Sequence, residues 1–362
     1  MRTLHLVSIA LAVAACVAIT VALLHPIPHN TVQTPVTSVA TNKSVSYLVI
    51  KDFAGRPVKV RIPATRIVSE YGLATPYVYL LGAGNRLVVA EIWGPASRFY
   101  SIIDKDFQRK LKLARELSIE ELLKLKPSLI LVSYWKCFSR RVKQMEALGL
   151  PVFCVRVENV SDIYRFITVL GKVLGCEKRA EEIVSYYKSL VNKLRERLAG
   201  IETRPRVLIL YYSGKEHAFR TFGGDMFQCK LVEMAGGVCV SANLSGKKTV
   251  NVEQVAKWNP DYIIVIGYRV PGPKAREILL SDPAWRAIEA VRDGRVYVVP
   301  SDGENWIDPC PKWVLGLYWL AKLLHPSALK DISIEKLASS FYEKLYNISL
   351  SSLKIVGDLR IG

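Results

Sequence analysis

Aromatic rings and cationic side chains occur together in the segments that follow predicted strands, and this combination suits binding rather than covalent chemistry. Aromatic faces pack against flat or conjugated ligands, and Arg and Lys bind carboxylate, phosphate or oxyanion groups. The candidate ligand-binding residues are Tyr71, Trp93, Tyr134, Trp135, Lys136, Arg220, Gly223, Gly224, Lys248 and Trp306. Trp135, Arg220 and Trp306 are the first choices, although either tryptophan could instead pack the core and Arg220 could be a surface cation.

The stretch TFGGDMFQCKLVEMAGG encloses a helical pattern between two glycine pairs. We predict that Gly223 and Gly224 turn the chain sharply and bring bare backbone close to a ligand, while Asp225 caps the helix that follows. The second pair would end that helix in the left-handed conformation. In an alternative interpretation all four glycines serve only as turns. The stretch is not a phosphate-binding loop, because GK[ST] does not follow the glycines.

Hydroxyl, imidazole and carboxylate side chains are present in the same regions but are not arranged in a catalytic motif. Ser213, His217 and Asp225 supply these types, yet no G-x-S-x-G elbow or equivalent motif organises them. His217 is a lone histidine, and the Cys and His residues show no metal-ligand spacing. We therefore expect no catalytic residue, no bound metal and no cofactor, with a hydrolase only as an alternative.

The bulk composition favours two globular lobes. The chain has 362 residues, of which 50% are hydrophobic, and this is enough for two cores of ordinary size. Its formal net charge of +18 attracts anions. No basic tract with interleaved aromatic residues occurs, so we expect no nucleic-acid partner.

The amino terminus predicts the compartment. Residues 1–24 contain a 21-residue run without Lys, Arg, Asp or Glu, which is long enough to span a bilayer as a signal anchor. Cys16 in VAAC loosely resembles a lipidation site, so acylation is the alternative to an uncleaved anchor. Residues 25–44, rich in Pro, Thr, Ser and Val, suit an extended tether. The body is thus expected to be extracytoplasmic and anchored to the cell membrane.

Cysteine usage agrees with an oxidising compartment. Six of the seven cysteines lie beyond the predicted anchor, and disulfides are common in extracytoplasmic proteins. Cys137 with Cys154, and Cys229 with Cys239, are possible pairs. Spacing alone does not fix the connectivity, so free thiols remain the alternative.

Two segments repeat the same pattern of helix, proline and strand at an offset of 133 residues. SIEELLKLKPSLILV at 118–132 aligns without a gap with NVEQVAKWNPDYIIV at 251–265. Both segments predict a helix that begins at a capping box, a proline that ends it, and a buried strand of the kind found in parallel sheets. The repeat therefore predicts two α/β lobes of related construction.

Predicted strands alternate with helices along both halves, which is typical of parallel sheets. The strands are expected within 65–71, 86–93, 128–135 and 151–157, and then within 206–213, 238–242, 262–268 and 294–301. Between them, residues 176–199 have the periodicity of one long amphipathic helix of about 35 Å. We place an amino-terminal lobe, a helical linker, a carboxy-terminal lobe and a helical extension at 45–158, 159–204, 205–329 and 330–362.

An ordered series of segments carries a family resemblance: RIVSEYGLATPYVYLLGAGNRLVV, SIEELLKLKPSLILV, FGGDMFQCKLVEMAGG, VNVEQVAKWNPDYIIV, SDPAWRAIEAVRDGRVYVVP and WVLGLYWLAKLLHP. In this series the chain resembles the extracytoplasmic solute-binding proteins of ABC importers for iron-siderophore, haem and cobalamin ligands. The resemblance implies two Rossmann-like α/β lobes with parallel sheets, joined by one long rigid helix, with a ligand cleft between them. It also implies a carrier, not an enzyme, that delivers a metal chelate to a permease dimer and its ATPase.

The resemblance assigns roles to particular positions. In such proteins a glutamate in each repeated unit docks into arginine pockets of the permease, which implies this role for Glu120 and Glu253. The simpler alternative is that both only favour the positive start of a helix dipole. Ligand contacts are implied for Trp135 and Trp306. Pro76 departs from the pattern, since many members carry Glu at that position.

Other functions remain open at this point. Molybdate or tungstate is the alternative ligand class, because a helix start and several cations could hold a tetrahedral oxyanion. A cell-surface receptor or adhesion module without a transporter is the alternative of another class. A rigid helix between the lobes predicts only modest motion on ligand binding.

Overall fold

The computed structural model describes residues 46–111 and 117–361, which belong to one compact unit, Val45–Gly362. The predicted anchor at 1–24 and tether at 25–44 lie outside the described residues. Within the described ranges no helix has the length and apolar character needed to cross a membrane.

The first half contains a hairpin and a parallel sheet. The antiparallel hairpin consists of β1 (Ser46–Lys51) and β2 (Pro57–Ile62). The sheet has the order β4-β3-β5-β6 and contains β3 (Ile67–Ser69), β4 (Leu87–Ala90), β5 (Leu129–Ser133) and β6 (Val152–Val155). Its helices are α1 (Thr75–Leu80), α2 (Ser97–Ile103), α3 (Phe107–Leu111), α4 (Ile119–Leu125) and α5 (Arg140–Ala147).

The second half has a larger, mixed sheet. Its strands are β7 (Arg206–Ser213), β8 (Ala218–Phe222), β9 (Val238–Cys239), β10 (Lys247–Thr249), β11 (Tyr262–Ile266) and β12 (Val296–Val298). They run in the order β10-β8-β7-β11-β12, and β9 also pairs with β7. The linker helices between the two halves are α6 (Val160–Leu174) and α7 (Glu177–Leu198). The helices that follow in the described part of the chain are α8 (Phe227–Met234), α9 (Val252–Trp258), α10 (Gly272–Ser281), α11 (Glu289–Arg292), α12 (Trp313–Leu324) and α13 (Ile334–Tyr346).

The predicted duplication is confirmed at the level of single residues. The bounds of α4 and β5 become those of α9 and β11 when 133 is added to each number. Each helix ends at a residue in the left-handed conformation, Lys126 (φ 46°) or Asn259 (φ 39°), directly before the proline that prevents its continuation. Each strand then pairs in parallel with a neighbour on both sides. Both halves thus contain the same α/β core.

All eight predicted strands are present, whereas the antiparallel strands were not predicted from the sequence. β8 and β10 lie in segments between the predicted strands, where no strand was predicted. Their sequences, AFRTF and KKT, are short and cationic, and β10 is exposed along its whole length at the sheet edge. An edge strand of this kind lacks the continuous apolar run that identifies a buried strand.

The long linker helix is also confirmed. It spans Glu177–Leu198, which is 22 residues and corresponds to about 33 Å. Gly175, at φ 63°, ends the preceding helix. A Cβ atom on Gly171 would lie 2.4 Å from that of Ala180, so only glycine allows the two linker helices to pack this closely.

Candidate functional site

Two tryptophans stand exposed at the carboxyl ends of β4 and β5, the strands on either side of β3 in the first sheet. Trp135 lies in the short turn directly after β5 and is 75% exposed, and Trp93 follows β4 and is 56% exposed. The Trp93 indole lies against Gly72, where a Cβ atom would come within 2.8 Å of the ring. Its Nε1 donates to Glu91 at 2.7 Å. Ligands in open α/β sheets bind beyond this end of the strands.

The turn that carries Trp135 is an aromatic cluster held in place by a disulfide. Tyr134 contacts Trp135 edge-on at 5.6 Å between ring centroids, and it contacts Phe138 in the same way at 6.3 Å. Phe138 is 64% exposed and was missed from the sequence. The disulfide between Cys137 and Cys154 joins the turn to β6 and confirms one of the expected pairs.

Ionisable groups lie beneath these aromatic rings. Burial raises the pKa of the Glu91 carboxyl, while its hydrogen bond with Trp93 and the nearby Lys136 oppose the shift. Burial likewise raises the pKa of the Tyr71 hydroxyl, which bonds to Ser133. Tyr71 therefore supports the exposed rings of Trp93, Trp135 and Phe138 and contributes little to their surface. Lys136, in contrast, is exposed.

The second lobe presents a lysine above three aromatic rings. Lys247 Nζ lies 5.5 Å from the ring centroids of Tyr211 and Phe222 and 5.2 Å from that of Tyr268. The Arg220 guanidinium donates to the Lys247 carbonyl oxygen at 2.9 Å and to Glu216 at 3.0 Å. In the antiparallel register Lys247 stands opposite Phe222.

Lys248, the lysine selected from the sequence, projects from the opposite face of β10. Side chains alternate between the two faces of a strand, so Lys248 shares its face with its partner Thr221 and not with Phe222. The lysine that lies over the three aromatic rings is therefore Lys247, the residue before Lys248.

A carboxylate completes this side of the site. Asp308 accepts hydrogen bonds from the Tyr268 hydroxyl at 2.8 Å, Gln228 Nε2 at 2.6 Å and Asn305 Nδ2 at 3.1 Å. Burial raises the pKa of Asp308, although these three donors and Lys247 oppose the shift. Gln228 sits on α8, which the second disulfide, Cys229 to Cys239, ties to β9 as expected.

The first glycine pair packs against protein backbone. Gly223 N donates to the Gly246 carbonyl at 2.7 Å, and Gly224 N donates to the Leu244 carbonyl at 3.0 Å. A Cβ atom on Gly223 would lie 2.3 Å from Leu244 O, and one on Gly224 would lie 2.4 Å from Ala242 O. The close approach that requires glycine is thus made to the loop at 242–246.

The prediction that Asp225 caps α8 is wrong. The helix begins after Met226 without a side-chain cap. Asp225 instead accepts hydrogen bonds from Ser245 Oγ at 3.0 Å and Gly246 N at 2.7 Å, and so it fixes the same neighbouring loop. At the other end Gly236 follows the helix with φ 86°, as the left-handed ending requires.

Trp306 lies in the core and not at the surface of a cleft. Its side chain is completely buried, and its Nε1 donates to the Tyr342 hydroxyl at 3.3 Å. Tyr342 belongs to α13, in the carboxy-terminal extension. The extension therefore covers the position at which the resemblance implied a ligand contact.

The two halves meet beside the aromatic turn. Lys230 Nζ, on α8 of the second half, donates to the Glu158 carbonyl oxygen of the first half at 3.4 Å. Burial raises the pKa of the Glu158 carboxyl, and the opposing influences come from Arg156, Lys230 and a hydrogen bond with Trp135. Trp135 is therefore positioned at the junction of the halves.

Glu120 and Glu253 occupy equivalent exposed positions, each as the second residue of its helix. Ser118 and Glu121 form the complete capping box, with bonds of 2.8 and 3.1 Å. In the second unit Asn251 Oδ1 accepts from the Gln254 backbone N–H at 2.9 Å. Backbone and Ser118 hydrogen bonds hold the pKa of Glu120 below its usual value.

No metal centre is formed by His, Cys, Asp and Glu side chains in the part of the chain that the structure describes, since no three of them are suitably grouped.

Comparison with known proteins identifies a consistent set of relatives. Residues 104–302 match the sequence profile of the family described as periplasmic binding protein. The chain is 27% identical to the molybdate-binding protein MolA of Haemophilus influenzae over 64% of this chain and 71% of that protein. It is 25% identical to YvrC, an ABC transporter substrate-binding lipoprotein of Bacillus subtilis, over 78% and 87%. A vitamin B12-binding protein of Yersinia pestis is 27% identical over 56% and 70%.

The fold agrees with a solved structure of the same kind. The structure of Haemophilus influenzae MolA bound to molybdate superposes with a TM-score of 0.69, covering 85% of this chain and 100% of that one at 22% identity. The similarity extends to the two-lobed α/β architecture.

Proposed function

Because the chain belongs to the periplasmic binding protein family, we propose that it captures a large metal chelate, an iron-siderophore, haem or cobalamin-type ligand, between its two lobes. The protein is the extracytoplasmic substrate-binding component of an ABC importer and not an enzyme. Its partners are accordingly a permease and an ATPase. To this family assignment we add proposals for the ligand class, the binding residues and the membrane anchor.

The proposal of a chelate rests on the aromatic wall of the first lobe, which consists of Trp93, Trp135 and Phe138. Trp135 and Trp93 leave 75% and 56% of their surfaces open to solvent, and Phe138 extends the same surface. Exposed apolar patches are a common mark of ligand-binding grooves. A conjugated or macrocyclic chelate offers the flat apolar area that such rings bury, and the similarity to a vitamin B12-binding protein supports this class.

Molybdate or tungstate is the second candidate. The similarity to MolA supports it in both sequence and structure. A tetrahedral oxyanion would be held by cations such as Arg220 and Lys247. No ligand would then cover the aromatic wall of the first lobe. The two candidates therefore differ in which lobe supplies most of the binding free energy.

For docking to the permease we propose Glu120 and Glu253. Their identical positions in the duplicated unit place one exposed carboxylate on each lobe. Carboxylates pair with arginine in a bidentate geometry that fixes orientation. Two such pairs, one on each lobe, would align the carrier with a permease made of two subunits.

The proposal includes attachment to the membrane through the amino terminus. The apolar run within residues 1–24 supports an anchor, and the lipoprotein character of YvrC supports acylation of Cys16 as the alternative. Mass spectrometry of the membrane fraction distinguishes them, because acylation at Cys16 removes residues 1–15 and adds lipid.

A ligand screen tests the proposed function. The full-length protein in mild detergent is titrated with ferric citrate, a neutral ferric hydroxamate, cyanocobalamin and sodium molybdate, while tryptophan fluorescence is followed. The proposal expects saturable quenching by at least one of the first three. Binding of molybdate alone would establish the second candidate, and binding of none would overturn both.

A further inference from the structure

We infer that Lys247 is the anchor for an anionic oxygen of the ligand and that the second lobe carries a specificity subsite for it. The inference rests on the proposed function and names the chemical group recognised there: a carboxylate, phenolate or phosphate oxygen of a chelate, or the oxyanion itself. The subsite consists of Lys247, Tyr211, Tyr268, Arg220 and Gln228.

The ammonium group of Lys247 is held among aromatic rings, where the Asp308 carboxylate acts on it electrostatically without a direct ion pair. Its ammonium group lies 5.2–5.5 Å from three ring centroids. It forms no ion pair with a carboxylate of residues 46–111 or 117–361. The fully buried Lys312 provides a contrast: it lies 3.8 Å from the Phe99 centroid and is paired with Asp302 and Glu304. In the second lobe Lys247 has no direct carboxylate partner, so its ammonium group is available to pair with an anion of the ligand.

The ammonium group is preorganised. Lys247 is exposed as a residue, but burial of its ammonium group lowers the pKa of the lysine, and Asp308 opposes this shift. Its backbone is fixed by pairing with Phe222 and by the Arg220 guanidinium, which donates to its carbonyl oxygen at 2.9 Å. The rings restrict its side chain further. A cation ordered before binding loses less conformational entropy when the anion arrives.

Two buried polar atoms of residues connected to this cluster lack hydrogen-bond partners in the described part of the chain. They are Arg220 Nε and Gln228 Oε1, and Gln228 is only 3% exposed. Asp308 accepts from Gln228 Nε2 at 2.6 Å, so the amide oxygen is left as an acceptor. Buried polar atoms are normally hydrogen-bonded. Arg220 Nε is a donor and Gln228 Oε1 an acceptor, so the subsite has an unused polar atom of each kind.

Adjacent lysines provide the test. Lys247→Met and Lys248→Met remove the same charge from neighbouring residues on opposite faces of β10. Full-length wild type and both variants are titrated with ferric citrate, a neutral ferric hydroxamate, cyanocobalamin and sodium molybdate. Lys247→Gln serves as a second variant, and the thermal unfolding midpoint of each protein checks the fold.

The subsite predicts that Lys247→Met and Lys247→Gln weaken binding of the charged probes about tenfold or more. Lys248→Met should change it less than twofold, and the neutral hydroxamate should respond equally weakly to every variant. Equal effects of the two lysines, or none at Lys247, would overturn the subsite even if a chelate binds. If molybdate binds alone and depends on Lys247, the subsite stands while the chelate proposal fails. No binding by any probe would overturn both.

Discussion

The side chains of Lys312 and Asp302 are both completely buried, and Lys312 Nζ lies 3.4 Å from the Asp302 carboxylate. Glu304 is a second carboxylate partner of the same ammonium group and accepts a hydrogen bond from the Tyr100 hydroxyl at 2.8 Å. Tyr100 belongs to α2 of the first half, whereas the charged residues lie in the loop before α12. This buried network joins the two halves and supports the prediction of modest motion between them.

Removing the buried lysine should destabilise the protein strongly. Lys312→Met leaves two carboxylates buried without their cation, so we expect the free energy of unfolding to fall by about 3–5 kcal/mol. Denaturant unfolding measures this change. Lys322→Met is the control, since its ammonium donates to the Ile332 carbonyl oxygen, and it should cost about 1 kcal/mol. Equal losses in both variants would contradict the role of the network.

Truncating the exposed tryptophan should weaken ligand binding without destabilising the fold. Trp135→Ala removes a ring that contributes little to the core, and we expect the dissociation constant of a bound chelate to rise about tenfold or more. Calorimetric titration measures it. Tyr47→Ala, on the 58% exposed ring of the β1–β2 hairpin, is the matched control and should leave affinity unchanged. Unaltered affinity in Trp135→Ala would show that the ligand does not cover this wall.

The docking proposal predicts a loss of transport activity that is separate from affinity. Glu120→Ala combined with Glu253→Ala should abolish stimulation of the importer's ATPase while the ligand still binds normally. Glu181→Ala combined with Glu182→Ala, on the exposed face of the long helix, controls for the loss of two negative charges. Wild-type stimulation by the docking variant would rule the proposal out.

A buried histidine should contribute a loss of stability at mildly acidic pH. Burial lowers the pKa of His325 below its ordinary value of 6.5, although its bond with the Gly236 carbonyl opposes the shift. The unfolded chain therefore binds a proton at this histidine that the folded chain resists, and the contribution of His325 to the free energy of unfolding decreases as pH falls below about 6.5. His325→Gln should reduce this dependence between pH 7 and 5, and His217→Gln, on an exposed turn, should retain it. An unchanged profile in His325→Gln would refute the assignment.

The sequence predicted the buried parallel core well because that core has a strong local signal. The strand LILVS and its counterpart YIIVI are continuous apolar runs, and their residues are almost all buried. The capping residue Ser118 and the proline that follows each helix are local features as well. Elements specified by their own residues are therefore predictable before any tertiary contact is known.

The parts of the site that were misplaced depend on register and on distant residues. The sequence selected Lys248, whereas the lysine over the three aromatic rings is Lys247, and one position moves a side chain to the other face of a strand. Nothing local fixes the register of β10, because its pairing with β8 depends on a strand 25 residues earlier. Trp306 is buried by Tyr342, whose helix carried no functional signal in the sequence.

The central claim is that one ligand is held jointly by the aromatic wall of the first lobe and the cationic subsite of the second. Calorimetric titration of the full-length protein with the tightest of the four probes, compared among wild type, Trp135→Ala, Lys247→Met and the double variant, tests it most directly. We predict one ligand per chain, weaker binding in each single variant and still weaker binding in the double variant. Two ligands per chain, or a response confined to one lobe, would contradict the account.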